Sequence, residues 1–189
     1  MKLTTGQVLQ NYINGRWVES QAELFEEIPN PATGERLARV PLSTRQEVDE
    51  AVQAARAAFP AWSETPVVER ARVMFRFQQL LVQHQDELAR MITTENGKNL
   101  AEAHAEMLRA IEMVEFACGM PSLLMGETLP SIAKGIDCET IRVPLGVVAG
   151  ITPFNFPVMV PMWMYPLAIT AGNTFVLKPS ERTPLSSVR

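Results

Sequence analysis

The sequence predicts an α/β fold in which a helical region leads into the start of a Rossmann-like parallel sheet. Two observations carry this prediction. First, apolar residues recur at helical spacing between residues 43 and 118. Second, the later part of the chain contains a short apolar run at 147–151, an apolar helix near 158–170 and another short apolar run at 174–178. Strand, helix and strand in close succession form a βαβ unit, whose strands are usually parallel.

Two extended hairpins are predicted before the first helix. The segment 11-NYINGRWV-18 places Asn14-Gly15 between two β-prone runs, and this dipeptide is typical of a type I′ turn, in which both central residues need positive φ. Residues 28–43 repeat the pattern around a Pro/Gly turn. A third antiparallel element, a β-ribbon, is predicted at residues 126–146, where alternating residues and turn residues follow the helices.

Four helices are predicted between the hairpins and the ribbon. Ser43 or Thr44 can cap the first, with Gln46 or Glu47 as its capping-box partner, and Pro60 is expected to end it. The other three are expected to begin near residues 66, 86 and 99. On the second, the arginines are expected to lie away from the apolar face; these are Arg70, Arg72 and Arg76.

The composition excludes several classes of protein. Across 189 residues, 47% are hydrophobic and 20% charged, which is typical of a globular protein, and the net charge of −4 with scattered Lys and Arg predicts no nucleic-acid binding. The longest apolar segment is shorter than the ~20 residues of a bilayer span, so no membrane insertion is expected. Two cysteines indicate a reducing, cytoplasmic location, and the two histidines have no metal-ligand pattern.

Asn155 and Lys178 each lie just beyond a predicted parallel strand, at the edge where such sheets bind ligands. Prolines flank the Phe154–Phe156 segment, so the Asn155 amide can be held rigidly as an oxyanion donor, an interaction worth about 3 kcal/mol of barrier elsewhere. The alternative is an Asx-turn that caps the next helix. Lys178 and Glu181 can together hydrogen-bond the hydroxyls of a ribose, or they form an ordinary surface ion pair.

Arg109 is a candidate for binding a carboxylate. It lies roughly opposite the apolar stripe of the fourth helix, on a side shared with Met113 and Phe116, where its guanidinium could meet a substrate carboxylate. The alternative is an i±3 network with Glu106 and Glu112. Neither cysteine has the basic surroundings of a catalytic thiol. The strand at 147–151 is not followed by G-x-G-x-x-G, so the usual glycine turn for a dinucleotide is missing.

Two linked motifs, 150-GITPFNFP-157 and 173-NTFVLKPSERTP-184, resemble those of the aldehyde dehydrogenase superfamily, as does Glu-Asn-Gly-Lys at 95–98. Within it, the chain is most similar to the CoA-acylating branch, the methylmalonate-semialdehyde dehydrogenases. The segments that carry this similarity are 109-RAIEMVEFACGMP-121 and 162-MWMYP-166, together with Phe154. The resemblance explains the missing glycine turn, because this family lays its cofactor over the sheet differently.

The resemblance implies NAD as the hydride acceptor. Thr152 and Phe154 would line its nicotinamide end. Lys178 and Glu181 would hold the adenosine ribose, with Arg182 nearby.

The resemblance also implies the chemistry. The Asn155 side chain would donate to the oxyanion of a thiohemiacetal, and Arg109 would bind the carboxylate of malonate or methylmalonate semialdehyde. CoA would be the co-substrate, and acetyl-CoA or propionyl-CoA would form with carbon dioxide. A homo-oligomer, dimer or tetramer, is expected for the full-length protein.

The family's nucleophilic cysteine, general-base glutamate and second cofactor motif are expected beyond Arg189, so we expect an N-terminal part of a longer enzyme that is inactive alone. Residues 1–123 would be the hairpin and helical part of the NAD-binding domain, 124–145 an oligomerisation ribbon and 146–189 the start of the βαβ core. The alternatives are a non-acylating aldehyde dehydrogenase and a non-catalytic binding or assembly fragment.

Overall fold

The computed structural model describes residues 6–189, and within that range the chain forms nine strands and seven helices. In chain order these are β1 (Gln7–Val8), β2 (Asn11–Ile13), β3 (Arg16–Val18), β4 (Phe25–Pro29), β5 (Arg36–Pro41), α1 (Arg45–Glu64), α2 (Val67–Gln83), α3 (Gln85–Asn96), α4 (Leu100–Cys118), α5 (Met120–Leu123), β6 (Thr128–Ala133), β7 (Ile136–Glu139), β8 (Val147–Ile151), α6 (Met159–Thr170), β9 (Thr174–Lys178) and α7 (Leu185–Val188).

The N-terminal segment forms two small sheets. Strands β2 and β3 pair antiparallel across Asn14 and Gly15, whose φ values of 51° and 75° are those of the predicted type I′ turn. Strands β4 and β5 form the second predicted hairpin, and β1 adds to β5 in parallel. Both hairpin predictions are therefore confirmed.

The first helix begins as predicted but ends later. The Thr44 hydroxyl accepts a hydrogen bond from the Glu47 amide at 3.3 Å, and the Glu47 carboxylate accepts one from the Thr44 amide at 2.7 Å. The prediction that Pro60 ends the helix is wrong, since α1 continues to Glu64. Pro60 has no amide hydrogen, so the Arg56 carbonyl loses its helical donor. Both residues are exposed, so water can replace the missing hydrogen bond.

The prediction for Arg70 on α2 is also wrong. This side chain is only 6% exposed. Its Nε donates to the Thr170 carbonyl at 2.8 Å, and its Nη1 donates to the carbonyls of Ser63 and Thr65. Because these carbonyls lie at the ends of helices α1 and α6 and in the turn before α2, the guanidinium joins three segments in the interior.

Helix α4 lies at the centre of the main core and packs against α2, α3 and α6. Alanines and medium-sized side chains allow the close approach of these helices. The fully or almost fully buried members on α4 are Ala103, Met107, Ala110, Ile111, Val114 and Ala117. This helix therefore connects the helical region to the βαβ unit.

The βαβ unit is present as predicted. Strands β8 and β9 pair in parallel, in register from Val147–Thr174 to Ile151–Lys178, and α6 connects them. Strands β6 and β7 form the antiparallel ribbon, whose residues are all exposed. The α/β fold class is therefore confirmed. No helix within residues 6–189 is long and apolar enough to cross a bilayer.

Candidate functional site

The candidate site begins where β8 and β9 end. The Ile151–Lys178 pair is the last in the parallel ladder, and one further hydrogen bond of 3.1 Å joins the Thr152 amide to the Lys178 carbonyl. Beyond this point the chain forms two loops, residues 152–158 and residues 179–184, which we call the strand-end loops. The predicted residues Thr152 and Lys178 are therefore neighbours across the two strands.

The two strand-end loops are joined a second time, further from the sheet. The Thr183 hydroxyl donates to the Phe154 carbonyl at 2.9 Å, and the Arg182 guanidinium carbon lies 5.5 Å from the centroid of the Phe154 ring. A cation at this distance is attracted to the ring face. The predicted cofactor residues Phe154 and Arg182 are thus in direct contact, and the loops form one continuous edge.

The Lys178 ammonium and the Glu181 carboxylate lie 2.7 Å apart, with side chains 55% and 42% exposed. The hydrogen bond from Lys178 holds the pKa of Glu181 below its usual range. Both groups keep solvent-facing hydrogen-bonding capacity, since an ammonium has three donors and a carboxylate about four acceptor positions. This pair can therefore bind a vicinal diol, as the sequence predicts, while also forming the surface ion pair that was the alternative.

Thr152 is the buried member of the predicted set, with 5% of its surface exposed. Its hydroxyl is inaccessible and has no hydrogen-bond partner among the described residues. A buried polar group without a partner is uncommon in native proteins. The exposed diol-binding pair and the exposed Phe154 ring are compatible with a nucleotide lying along the strand ends.

Asn155 is held by its backbone and not by its side chain. Its carbonyl oxygen accepts a hydrogen bond of 2.8 Å from the Lys98 ammonium. The preceding carbonyl, of Phe154, accepts one of 3.0 Å from the Asn96 side chain. The Asn155 carboxamide itself is exposed and makes no hydrogen bond with any described residue. The Asx-turn alternative is thus not what the structure contains, because no side-chain cap is present at the start of α6.

A carboxylate from another helix caps α6 instead. Glu106 Oε1 accepts hydrogen bonds from the amides of Val158 at 2.9 Å and Met159 at 3.1 Å, while Oε2 lies 2.6 Å from the Lys98 ammonium. The Glu106 side chain is 0% exposed and that of Lys98 is 11% exposed. A negative charge at a helix N-terminus is favourable, and Lys98 neutralises it in the interior.

Helix α7 is docked next to the same loops by a second buried carboxylate. Glu95 accepts hydrogen bonds from the amides of Leu185 at 2.7 Å and Ser186 at 2.9 Å. Burial raises the pKa of Glu95 to about 7, against the opposing effect of these hydrogen bonds. The sequence pattern predicts Thr183 as the N-cap of this helix, which is wrong, because the Thr183 hydroxyl bonds the Phe154 carbonyl and Glu95 caps the helix.

Arg109 is exposed on α4, three residues after Glu106, and makes no hydrogen bond or ion pair with any described residue. The proposed alternative network does not form through Glu106, whose two oxygens are bound to Lys98 and to the start of α6. The guanidinium is therefore free to bind a ligand carboxylate. The structure does not bring Arg109 into contact with the strand-end loops.

Within the described residues, no cluster of three or more His, Cys, Asp or Glu side chains could hold a metal ion. Cys118 is buried and Cys138 is exposed, and both are unpaired. Burial raises the pKa of the Cys118 thiol, which disfavours the reactive thiolate.

Comparison with known protein families adds the deciding observation. The model of the aldehyde dehydrogenase family matches residues 17–189. The chain belongs to the aldehyde dehydrogenase family. The expected superfamily is thereby confirmed, and the matched residues include the βαβ unit and its two strand-end loops.

Several curated aldehyde dehydrogenases are similar over the whole chain. Malonate-semialdehyde dehydrogenase 1 of Geobacillus thermodenitrificans is 62% identical over 188 residues, which are 99% of this chain and 39% of that protein. Malonate-semialdehyde dehydrogenase of Halalkalibacterium halodurans is 60% identical over 187 residues, again 39% of its length. The chain thus spans about 39% of the length of these relatives.

Solved structures give the same picture of the fold. Methylmalonate-semialdehyde dehydrogenase (DddC) of Oceanimonas doudoroffii matches with a TM-score of 0.92 and 50% identity, covering 98% of this chain and 37% of that one. A Sinorhizobium meliloti 1021 protein complexed with NAD matches with a TM-score of 0.93 and 41% identity, covering 100% and 38%. The predicted fold, the N-terminal part of an aldehyde dehydrogenase, is confirmed.

The residues that support the two strand-end loops, above all Lys98 and Glu106, are not among the predicted site residues. The sequence offers Glu106 only as a partner of Arg109 in the alternative i±3 network, although this carboxylate lies between Ala103 and Ala110 on the apolar stripe of α4. A charged residue within an apolar stripe is the signal that could have identified it, because buried charges need partners.

Proposed function

We propose that this chain forms the N-terminal part of the cofactor and oxyanion sites of an NAD-dependent, CoA-acylating semialdehyde dehydrogenase. The observation that carries the proposal is the joining of the strand-end loops, which puts Thr152, Phe154, Lys178, Glu181 and Arg182 along one edge of the βαβ unit. The similarity to malonate-semialdehyde dehydrogenases supports the substrate class.

In this proposal the Lys178 ammonium donates to, and the Glu181 carboxylate accepts from, the two hydroxyls of the adenosine ribose. Thr152 and Phe154 lie towards the nicotinamide, which the exposed Phe154 ring can contact. Arg182, held over the Phe154 ring, supplies positive charge near this ribose-binding pair. NAD, when bound, supplies the hydride acceptor.

Asn155 stabilises the oxyanion. Attack of a thiolate on the aldehyde carbon turns the carbonyl oxygen into an alkoxide, and the Asn155 carboxamide N–H donates a hydrogen bond to it. Because the backbone on both sides of Asn155 is already fixed by Asn96 and Lys98, little reorganisation is needed when charge develops. The relatives extend beyond the part that this chain matches. In this proposal the thiolate comes from the corresponding part of the full-length enzyme.

Arg109 recognises the carboxylate that distinguishes a semialdehyde acid from a simple aldehyde. Its exposed guanidinium has no protein partner among the described residues, and two parallel N–H···O bonds to a carboxylate would satisfy it. Acyl transfer to CoA then yields acetyl-CoA or propionyl-CoA with loss of carbon dioxide. A non-acylating enzyme, which hydrolyses the thioester to a free acid, is the alternative.

The β6–β7 ribbon exposes several large apolar side chains, which supports burial against another subunit in a homo-oligomer; these are Leu129, Ile132 and Ile136. The division into residues 1–123, 124–145 and 146–189 belongs to the same proposal. The two unpaired cysteines support a cytoplasmic location.

A chimera tests this function directly. The 189-residue chain replaces the matching 39% of malonate-semialdehyde dehydrogenase 1 of Geobacillus thermodenitrificans, and NADH formation from malonate semialdehyde is followed with and without CoA. We expect CoA-dependent NADH formation that Asn155→Ala lowers about 100-fold. Equal NADH formation without CoA would favour the non-acylating alternative. An inactive, correctly folded chimera would favour the non-catalytic fragment.

A further inference from the structure

We infer that Lys98 and Glu106 form a positioning pair that sets the orientation of the Asn155 carboxamide. The inference rests on the proposed role of Asn155 as the oxyanion donor. It concerns two residues that contact neither substrate nor cofactor in that proposal and that act through the backbone of residues 155–159 and the Phe156 ring.

The start of α6 has no capping hydrogen bond from a side chain of its own segment. Residue 157 is a proline and residue 158 a valine, so neither side chain can accept a hydrogen bond from the first amides of the helix. Glu106 Oε1 accepts from both of the amides that follow Pro157, at 2.9 and 3.1 Å. The angle at which the chain enters α6 is therefore set by a side chain on α4.

The Lys98 ammonium has three partners. It lies 2.6 Å from Glu106 Oε2, 2.8 Å from the Asn155 carbonyl oxygen and 4.4 Å from the centroid of the Phe156 ring. An ammonium has three donors, so this environment satisfies all of them. With its side chain only 11% exposed, Lys98 has little freedom to move away from the loop.

The Asn155 side chain has no hydrogen-bond partner among the described residues. The backbone therefore sets the direction of its Cα–Cβ bond, and the carboxamide turns only about χ1 and χ2. Lys98 holds the peptide plane after Asn155, and Asn96 holds the one before it. A catalytic donor must lie within about 0.5 Å of its productive position, so loosening one of these planes lowers the rate even though the carboxamide is still present.

A purely structural role is the competing explanation, and the choice of variant addresses it. Lys98→Met alone would leave the buried Glu106 charge without a partner and could unfold the protein. The paired variant Lys98→Met/Glu106→Gln removes both charges, yet the glutamine carbonyl can still accept from the Val158 and Met159 amides. It therefore removes the contact to the Asn155 carbonyl and keeps the cap of α6.

The decisive measurement is a double-mutant cycle in the chimera. We expect the paired variant to lower kcat about 10-fold to 100-fold, with the KM for NAD changed less than about twofold. In an Asn155→Ala background the paired variant should lower kcat by less than about twofold, because there is no carboxamide left to orient. Arg72→Met, which breaks an exposed ion pair with Glu69, is the matched control and should change neither constant.

Two results would overturn the inference: an unchanged kcat in the paired variant, or the same loss with and without Asn155. If the unmodified chimera is inactive, the proposed function fails, and the positioning pair is judged by NMR on the 189-residue chain. The backbone order parameter of Asn155 should then fall from about 0.85, typical of rigid backbone, towards about 0.6 in the paired variant. An unchanged order parameter would reject the pair as a positioning device.

Discussion

The Thr152 amide nitrogen lies 3.1 Å from the Lys178 carbonyl oxygen, so the ends of β8 and β9 are joined at the point where both leave the sheet. The bond continues the parallel ladder by one residue. As a result, the two strand-end loops begin side by side, although their first residues are more than 25 positions apart in the sequence. Further from the sheet, the Thr183 hydroxyl can donate a hydrogen bond to the Phe154 carbonyl.

Lys178→Ala is expected to weaken NAD binding to the 189-residue chain about 10-fold, because a hydrogen bond from a charged donor to the ribose is lost. Isothermal calorimetry measures the dissociation constant. Lys134→Ala, on the exposed turn between β6 and β7, is the matched control and should leave the constant unchanged. Equal weakening by both substitutions would remove Lys178 from the cofactor site.

Arg109→Ala is expected to lower kcat/KM for malonate semialdehyde about 100-fold in the chimera, because a charge-assisted, two-bond contact to the carboxylate is lost. The kcat/KM for propanal should change less than about threefold. The substitution removes an exposed side chain, so it should not alter folding. Similar losses on both aldehydes would show that Arg109 does not read the carboxylate.

Glu95 makes the stability of the chain depend on pH. Its pKa is about 7 in the folded chain, against an ordinary value of 4.5. Between pH 4.5 and pH 7, therefore, the folded state keeps a proton that the unfolded state has released. The free energy of unfolding should therefore fall by about 3 kcal/mol, to order of magnitude, as pH rises from 4.5 to 7, and level off above that.

Urea unfolding at several pH values measures this dependence. Glu95→Gln should abolish most of the decline, because the glutamine does not titrate. Glu87→Gln is the control: its carboxylate is exposed and its pKa is lowered by Arg189, so it contributes stability above its ordinary pKa that is lost only in more acidic solution. Should the Glu95→Gln protein keep the full decline, another group would be responsible.

Arg70→Met is expected to lower the free energy of unfolding by about 3 kcal/mol, because two carbonyls at helix ends and one in the turn before α2 lose their donor inside the protein. Arg72→Met, two residues away on the exposed side of α2, should change it by less than about 0.5 kcal/mol. Urea midpoints compare the two. A smaller effect for Arg70 than for Arg72 would contradict the structural role assigned to the buried guanidinium.

Local signals in the sequence were sufficient for most of the fold. Asn14-Gly15 predicted a turn whose positive φ values require those residue types, and Thr44 with Glu47 predicted a capping box. Gly97, with φ of 87°, ends α3 in the left-handed conformation that favours glycine after a helix. Pro60 was misjudged because the effect of a helical proline depends on whether water can reach the carbonyl it leaves unpaired, which tertiary structure decides.

The supporting residues of the candidate site were not predictable in the same way. Arg70, Glu95 and Glu106 are charged, and a periodicity argument assigns such residues to the surface. Each of the three is buried because it hydrogen-bonds a backbone group at the end of a helix that lies 52 to 100 residues away in the sequence. Arg70 also hydrogen-bonds two nearer carbonyls. The strand-end residues were predictable because parallel pairing of two adjacent strands brings their carboxyl ends together.

NMR titration of the 15N-labelled 189-residue chain with NAD tests most directly whether the two strand-end loops hold one dinucleotide. We predict chemical-shift changes in both loops, at residues 152–156 and 178–183, that follow a single dissociation constant and are weakened together by Lys178→Ala. Changes confined to one loop, different constants for the two loops, or no saturable change would contradict a shared cofactor site.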